Sequence, residues 1–309
     1  MFELSRGRPS VDSILELPEY PEMKALEISD RVAVESCTHR LPCSSQHNFT
    51  CIWMWDTDKS TRVARIGRNL VVEFPDWETR KPALTLIGDE NIADAAMYAL
   101  AFWNEPLQLI PDFVANQLSE DKFVVVRDRD QDDYVVDVVR LSNLAGGGLK
   151  YRRRAANQCA HALQGRLVVK YCIEQPDLVL FDLFDRWAVG RANADKPEIV
   201  DERRALERLI SAWHELDLVV TGLYDRGRLI AADIQETLPS GAIGHCQKAD
   251  ISYKGSFPLL VRSSSKHLAS LGVRELNIEE DLGIEGLRLS KLRWRPTGMV
   301  RKYRVQTRK

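Results

Sequence analysis

The sequence predicts an α+β fold of two tandem units, each a mixed β-sheet flanked by helices, joined by a basic helix. Three observations predict it. The chain has 309 residues, more than one hydrophobic core usually serves, so two domains of ordinary size are expected. A glycine run, Gly146-Gly147-Gly148, breaks the pattern just before a helix-competent basic segment that opens at Lys150. From Arg166 the order of elements starts again, running through helix, hairpin, strand, helix and strand, and the first half has a similar but less regular order. The expected division is a first unit at 1–145, a connecting helix at 146–165 and a second unit at 166–309.

Taken in order, residues 1–30 hold Pro9, Pro18 and Pro21 among charged residues and read as an irregular lead-in with a short helix near Val11 to Leu17. Arg31 to Trp55 mixes short apolar and polar stretches. Arg62 to Phe74 alternates like two strands joined at Gly67-Arg68-Asn69. Asn91 to Trp103 and Pro111 to Leu118 read as helices, and Phe123 to Arg127 and Tyr134 to Val139 as strands around the acidic stretch Asp128 to Asp133. In the second half, Leu167 to Ile173 is a strand and Leu178 to Val189 a helix. Asp201 to Leu216 is an amphipathic helix with Ala205, Leu209, Ala212 and Trp213 at helical spacing. Leu218 to Tyr224 and Leu229 to Glu236 form a hairpin through Asp225-Arg226-Gly227-Arg228. Ala242 to Ile251 is a strand, Phe257 to Ser270 a helix, and Glu275 to Ile278 and Tyr303 to Val305 are short strands.

Composition bounds the function. The net charge of −2 argues against a general polyanion binder, yet after Glu285 there is no acidic residue and nine basic ones. Such a tail steers an anionic partner or is simply solvated. The six cysteines form no CxxC pair, and the opening Met-Phe-Glu-Leu-Ser-Arg has no apolar signal region, so a reducing cytoplasm is expected. Cys37, Cys43 and Cys51 with His39 and His47 lack zinc-finger spacing, so no metal is expected. No run approaches the ~20 apolar residues of a membrane span, so any membrane contact would be peripheral.

The chemistry is concentrated late in the chain. Lys248 and Asp250 are two apart on a strand and face one way, and Asn277 and Glu279 do the same. If those strands are neighbours, an ammonium, carboxylates and an amide converge, a set able to orient an amine or hydroxyl and to stabilise an acyl-transfer oxyanion. Cross-strand ion pairing is the structural alternative. Asp281 follows, and Arg288 and Lys291 lie three apart on a helical turn. Lys150, Arg152, Arg153 and Arg154 crowd a helix N-terminus, where cations oppose the macrodipole, so an anionic ligand or the preceding acidic loop favours them.

This order of elements resembles the acyl-CoA N-acyltransferase (GNAT) fold. Members of that fold cradle coenzyme A on Arg/Gln-x-x-Gly-x-Gly/Ala, whereas Ile251 to Phe257 keeps only Gly255, so coenzyme A is not expected as the donor. Asp132-Asp133-Tyr134, the basic helix from Lys150 to Asn157, Lys248-Ala249-Asp250 with Gly255, Asn277 to Gly283, Gly286 to Lys291, Arg295-Pro296 and Lys302-Tyr303 together resemble the C-terminal domain family of lysylphosphatidylglycerol synthase over nearly the whole chain. The resemblance implies two tandem GNAT-like domains and transfer of an amino acid from aminoacyl-tRNA to a hydroxyl or amine acceptor, either a small metabolite or a phosphatidylglycerol-type lipid. Aminoacyl-tRNA is then a co-substrate and no cofactor is expected. Asp250 resembles the aspartate of the family's Asp-Leu-Met-Arg motif, with Tyr253 where the arginine would stand. The implied catalytic residues are Lys248, Asp250, Glu279, Arg288 and Lys291, and the substrate-binding ones Asn277, Asp281, Tyr253 and Gly255. Lys150, Arg152, Arg153, Arg154, Arg293 and Arg295 would contact tRNA. An acyl-CoA-dependent N-acyltransferase and a non-catalytic tRNA-binding protein stand as alternatives.

Overall fold

The computed structural model of the chain describes residues 10–189 and 197–308. Pro9 of the lead-in and Lys309 of the tail lie outside them. In chain order the elements are β1 (Lys24–Ala25), α1 (Arg31–Thr38), α2 (Phe49–Trp55), β2 (Arg62–Ile66), β3 (Asn69–Pro75), β4 (Pro82–Ile87), α3 (Ile92–Phe102), β5 (Leu107–Pro111), α4 (Asp112–Ala115) and β6 (Phe123–Arg127). There follow β7 (Asp133–Asp137), α5 (Val138–Asn143), α6 (Lys150–Ala162), β8 (Leu167–Lys170), α7 (Pro176–Val189), α8 (Pro197–Ser211), β9 (Leu218–Asp225) and β10 (Arg228–Leu238). The chain closes with β11 (Gly241–Ala249), α9 (Ser256–Ser270), β12 (Glu275–Asn277), α10 (Glu285–Leu292), β13 (Gly298–Val300) and β14 (Lys302–Thr307).

Two compact units emerge, one formed by residues up to Gln131 with the C-terminal strand from Arg301, the other by Asp132–Val300. This differs from the expected boundary at 145, because β7 is a strand of the second sheet, paired with both β12 and β13. The basic helix α6 therefore belongs within the second unit. The tail differs too: β14 is the central strand of a three-stranded sheet, between β5 and β6, with Lys302 fully buried and Arg304 bonded to Asp128 at 2.8 Å.

The first unit also holds the antiparallel sheet β1-β2-β3-β4, in which the β2–β3 hairpin turns at Gly67 with φ of 60°. Helices α1 and α2 fall where the sequence mixes apolar and polar residues. Arg31 and Glu35 are buried as an (i, i+4) ion pair on α1, so burial does not follow hydrophobicity there. His47 meets the hydroxyls of Ser44 and Thr85 at 3.0 and 3.1 Å, and the Cys37 thiol meets the Ile87 carbonyl.

The second unit is built on a seven-stranded sheet in the order β13-β7-β12-β11-β10-β9-β8. Every neighbouring pair is antiparallel except β11 and β12, whose parallel pairing requires the crossover helix α9. The β9–β10 turn has both central residues at positive φ, Arg226 at 50° and Gly227 at 83°, the geometry a tight hairpin demands. Helix α5 starts where a strand reading runs on through Val139, because the Asp137 side chain accepts from the Arg140 N–H at 2.6 Å and caps it. Ala156, Leu260, Leu268 and Leu276 join Val136, Ala231 and Ala249 in the core beneath α5, α6 and α9. Burying each such leucine stabilises by roughly 1.5–3 kcal/mol. Since Ala249 points into this core, Lys248 points to the opposite face, where α7 packs. Among the described residues no helix is long and apolar enough to cross a membrane.

Candidate active site

The parallel strands β11 and β12 pair only at Ala242–Leu276 and Ile243–Asn277. Beyond that point β11 continues along β10 to Ala249, whereas β12 ends at Asn277 and the chain turns away. The result is a split in the sheet. At the split β11 carries an irregularity: Cys246 faces Ile234 but Gly244 faces Gln235, so His245 is an extra residue. A bulge of this kind re-aims a side chain. The wholly buried ring of His245 places Nε2 3.3 Å from Glu236 Oε2 and Nδ1 4.0 Å from Glu279 Oε1. Nδ1 has no hydrogen-bond partner.

The loop on the far side of the split is pinned along its length. The Asn277 side-chain amide donates to Asp133 Oδ2 at 2.7 Å, and its oxygen accepts from the Glu279 N–H at 2.7 Å. Tyr134 exchanges backbone bonds with Ile278 and Glu279, and the Lys291 ammonium donates to the Ile278 carbonyl. Fully buried Asp281 accepts from the Tyr134 hydroxyl, from Arg288 Nε and Nη2 at 2.9 and 2.8 Å, and from the Gly283 N–H at 3.0 Å. Burial alone would raise the Asp281 pKa, but Arg288, Tyr134 and Gly283 together hold it below the ordinary value. These bonds set Glu279 in place with a φ of 62°.

Lys248 and Glu279 come near enough for both to act on the Cys246 thiol of β11, while Lys248 and Asp250 are each also tied to a neighbouring helix. Lys248 lies five residues past the last β11–β12 pair, roughly 16 Å along the strand at ~3.3 Å per residue, on the part that has diverged. Its ammonium pairs with Glu202 of α8 and sits 4.3 Å above the Trp187 ring of α7. Asp250 pairs with Arg186 of α7 and accepts from the Ser252 hydroxyl and N–H at 2.6 and 3.0 Å. Burial opposes ionisation of Asp250, but Ser252 and then Arg186 outweigh it, and its pKa falls. Tyr253 donates to Asp225 at 3.1 Å, on the β9–β10 side of the sheet. Gly255 is a packing glycine: at φ of 84°, a Cβ there would lie 2.3 Å from the Ala155 carbonyl of α6.

The basic residues divide. Arg152 stacks 4.3 Å over Trp294, and its burial, with Arg293 and Arg295 nearby, lowers its pKa. Arg293, Arg295, Lys150 and Arg154 are exposed. Arg153 turns inward, donating to the Leu144 and Gly146 carbonyls at 2.6 and 3.5 Å, and so closes the end of α5. Arg153 therefore has a structural role through Nη1, and the half-buried side chain stays beside the exposed Arg154 and Lys150.

Sequence reading assigned no role to Glu236, His245, Glu202 or Arg186, and quoted Asp133 and Tyr134 only as part of a motif. Glu236 and His245 had a partial signal, since both lie near the turn of one hairpin, with Glu236 opposite Ile243. The bulge that aims His245 had none.

The chain matches the profile of the family described as phosphatidylglycerol lysyltransferase, C-terminal, over residues 40–306. A search of curated proteins returns no match. Among solved structures, a conserved protein of unknown function from Bacteroides thetaiotaomicron is similar at a TM-score of 0.79 and 21% identity, over 93% of this chain and 99% of that one. The C-terminal domain of an assigned lysylphosphatidylglycerol synthetase from Agrobacterium fabrum gives 0.62 and 16%, over 92% and 93%. L-PGS from Bacillus licheniformis gives 0.54 and 12%, over 82% and 85%. These likenesses show that the chain shares the mixed α+β fold of those proteins.

Proposed function

Because the chain belongs to the phosphatidylglycerol lysyltransferase C-terminal family, we propose that it is a transferase that moves an amino acid from aminoacyl-tRNA to a hydroxyl or amine acceptor. The aminoacyl ester is already activated, so the protein must mainly place the nucleophile and stabilise the tetrahedral oxyanion. The observation that carries this reading is the split between β11 and β12, lined by the His245 ring on one side and by Asn277 and Glu279 on the other.

In this reading Glu279 orients the acceptor, while Asn277 fixes the Glu279 backbone. Lys291 and Arg288 act through the Ile278 carbonyl and Asp281, keeping the loop in register. Lys248 and Asp250, held by Glu202 and Arg186, form the wall further along β11 that receives the aminoacyl end. Arg152, Arg293 and Arg295, with Lys150 and Arg154, contact tRNA phosphates. The stretch Ile251 to Phe257, with one glycine where an Arg/Gln-x-x-Gly-x-Gly/Ala cradle would stand, supports aminoacyl-tRNA over coenzyme A as donor. Two carboxylates beside the split, Glu236 and Glu279, repel a phosphodiester headgroup, which favours a small metabolite over an anionic lipid as acceptor.

The test is incubation of the protein with a pool of charged tRNAs and a cell extract, followed by mass spectrometry of new aminoacylated products. Acceptor-dependent discharge of tRNA supports the reading. Tight tRNA binding with no transfer to any acceptor would instead favour a non-catalytic binding protein, and acetyl-CoA consumption an ordinary acetyltransferase.

A further inference from the structure

We infer that a cleft lined by Arg140, Arg295 and the glycine-rich stretch before α6 holds a phosphate group of the tRNA. The inference rests on the transferase reading above and adds a built site to its tRNA surface.

The cleft has a volume of about 290 Å³, and Arg140, Ala145, Gly146, Gly148, Leu149 and Arg295 line it. The two arginines are its only side chains able to form a hydrogen bond. Arg295 lies near Arg152, which has Arg293 beside it as well. Among the described residues none of these four guanidiniums pairs with a carboxylate. Like charges left together repel, and the less water reaches them the more they cost. Two of the four are shielded in this way. Arg152 is half-buried over the Trp294 ring, and burial, followed by Arg293 and Arg295, lowers its pKa. Arg140 is also half-buried: its Nη2 donates to the carbonyls of Trp294 and Arg295, while its buried Nε–H has no partner. An anion among these groups relieves the repulsion, and the planar fork of arginine matches the oxygens of a phosphate.

Gly148 is what lets Arg295 lie across the cleft. A Cβ there would come within 2.7 Å of Arg295 Nε, which belongs to a flexible side chain, so a methyl pushes the guanidinium aside without crowding the backbone. A Cβ at Gly147 meets nothing within 4 Å. The two neighbouring glycines therefore separate an effect on Arg295 from an effect on the loop.

The test uses the full-length protein and compares the parent with Arg140→Gln, Gly148→Ala and Gly147→Ala. Inorganic phosphate should bind the parent, and bind Arg140→Gln about tenfold less tightly or worse. Gly148→Ala should also bind it less tightly, and Gly147→Ala should match the parent. Because Gly148→Ala keeps every charge, its loss distinguishes a built site from the general pull of a basic surface. In filter binding of uncharged tRNA, Arg140→Gln should lower the slope of log affinity against log salt by about one. Inorganic phosphate should displace tRNA from the parent more readily than chloride at equal ionic strength. Unchanged phosphate and tRNA binding in folded Arg140→Gln and Gly148→Ala proteins overturns the site and leaves aminoacyl transfer standing. Phosphate binding by a parent that binds no tRNA overturns the tRNA assignment and the transferase reading with it. Variants that lose binding to phosphatidylglycerol vesicles but keep that of tRNA overturn the inference in favour of a lipid headgroup. If Arg140→Gln does not fold, since Arg140 holds the chain after α10, Gly148→Ala carries the test.

Discussion

The hydroxyl of Tyr134 donates to the carboxylate of Asp281, 147 residues further along the chain, while Arg288 grips the same carboxylate through two nitrogens. This knot ties β7 to the loop that follows β12, and the loop carries Glu279.

Breaking the knot should be costly. Arg288→Ala leaves a buried carboxylate without its cation, and removing one partner of such a pair costs about 3 kcal/mol. Urea midpoints of the variant and the parent measure this. Because the Asp281 pKa is depressed in the fold, its stabilising contribution is present above the ordinary aspartate range and is lost as pH falls through the lower, folded value. Asp281→Asn should therefore flatten the acid limb of the stability curve.

Asp233 should behave in the opposite sense. It is fully buried, with Gln235 and Gln247 donating to it at 3.0 and 2.8 Å, and burial raises its pKa to about 7 against the pull of Ser264 and Gln247. Between the unfolded value and about 7 the folded state binds more protons, so stability falls as pH rises through that window. Asp233→Asn should remove that slope in thermal melts recorded from pH 4 to pH 8.

Gly255→Ala should destabilise by about 1–3 kcal/mol, since the new methyl meets the Ala155 carbonyl and the backbone sits in the left-handed region. Gly147→Ala, where nothing lies within 4 Å, should be close to neutral. Chemical denaturation of the pair distinguishes packing from general glycine loss.

Much of this architecture was legible in the chain. The β9–β10 hairpin, α3, α7 and α9 are long or strongly patterned segments whose turns and periods are local properties. The helices α1 and α5 were hidden, one by a buried ion pair and the other by a β-branched run that a side-chain cap converts into a helix. For the site, Asn277, Glu279, Asp281, Arg288 and Lys291 were readable because they share one short stretch. Lys248 and Asp250 are readable as a pair two apart on one strand, but their ties to Glu202 and Arg186 are long-range and leave no local signal. The split of β11 from β12 cannot be read from spacing, and neither can the bulge that turns His245 toward Glu236.

Three variants separate the loop from the proposed tRNA surface. Lys291→Ala removes the donor to the Ile278 carbonyl; a small displacement of reacting groups costs about 100-fold in rate, so transfer should collapse while the melting curve stays close to the parent. Arg293→Ala and Arg295→Ala should instead weaken tRNA binding, each lowering the slope of log affinity against log salt by about one. Filter binding at several salt concentrations reads this directly.

The central claim is that the split between β11 and β12 is where an aminoacyl group changes hands. Its most direct measurement is the rate at which charged tRNA is discharged, with and without an acceptor fraction, by the parent protein and by Asn277→Ala, which frees the Glu279 backbone. Acceptor-dependent discharge by the parent, slowed at least about tenfold in a folded variant, is the predicted result. Equal rates for the two proteins, or no acceptor-dependent discharge at all, would contradict it.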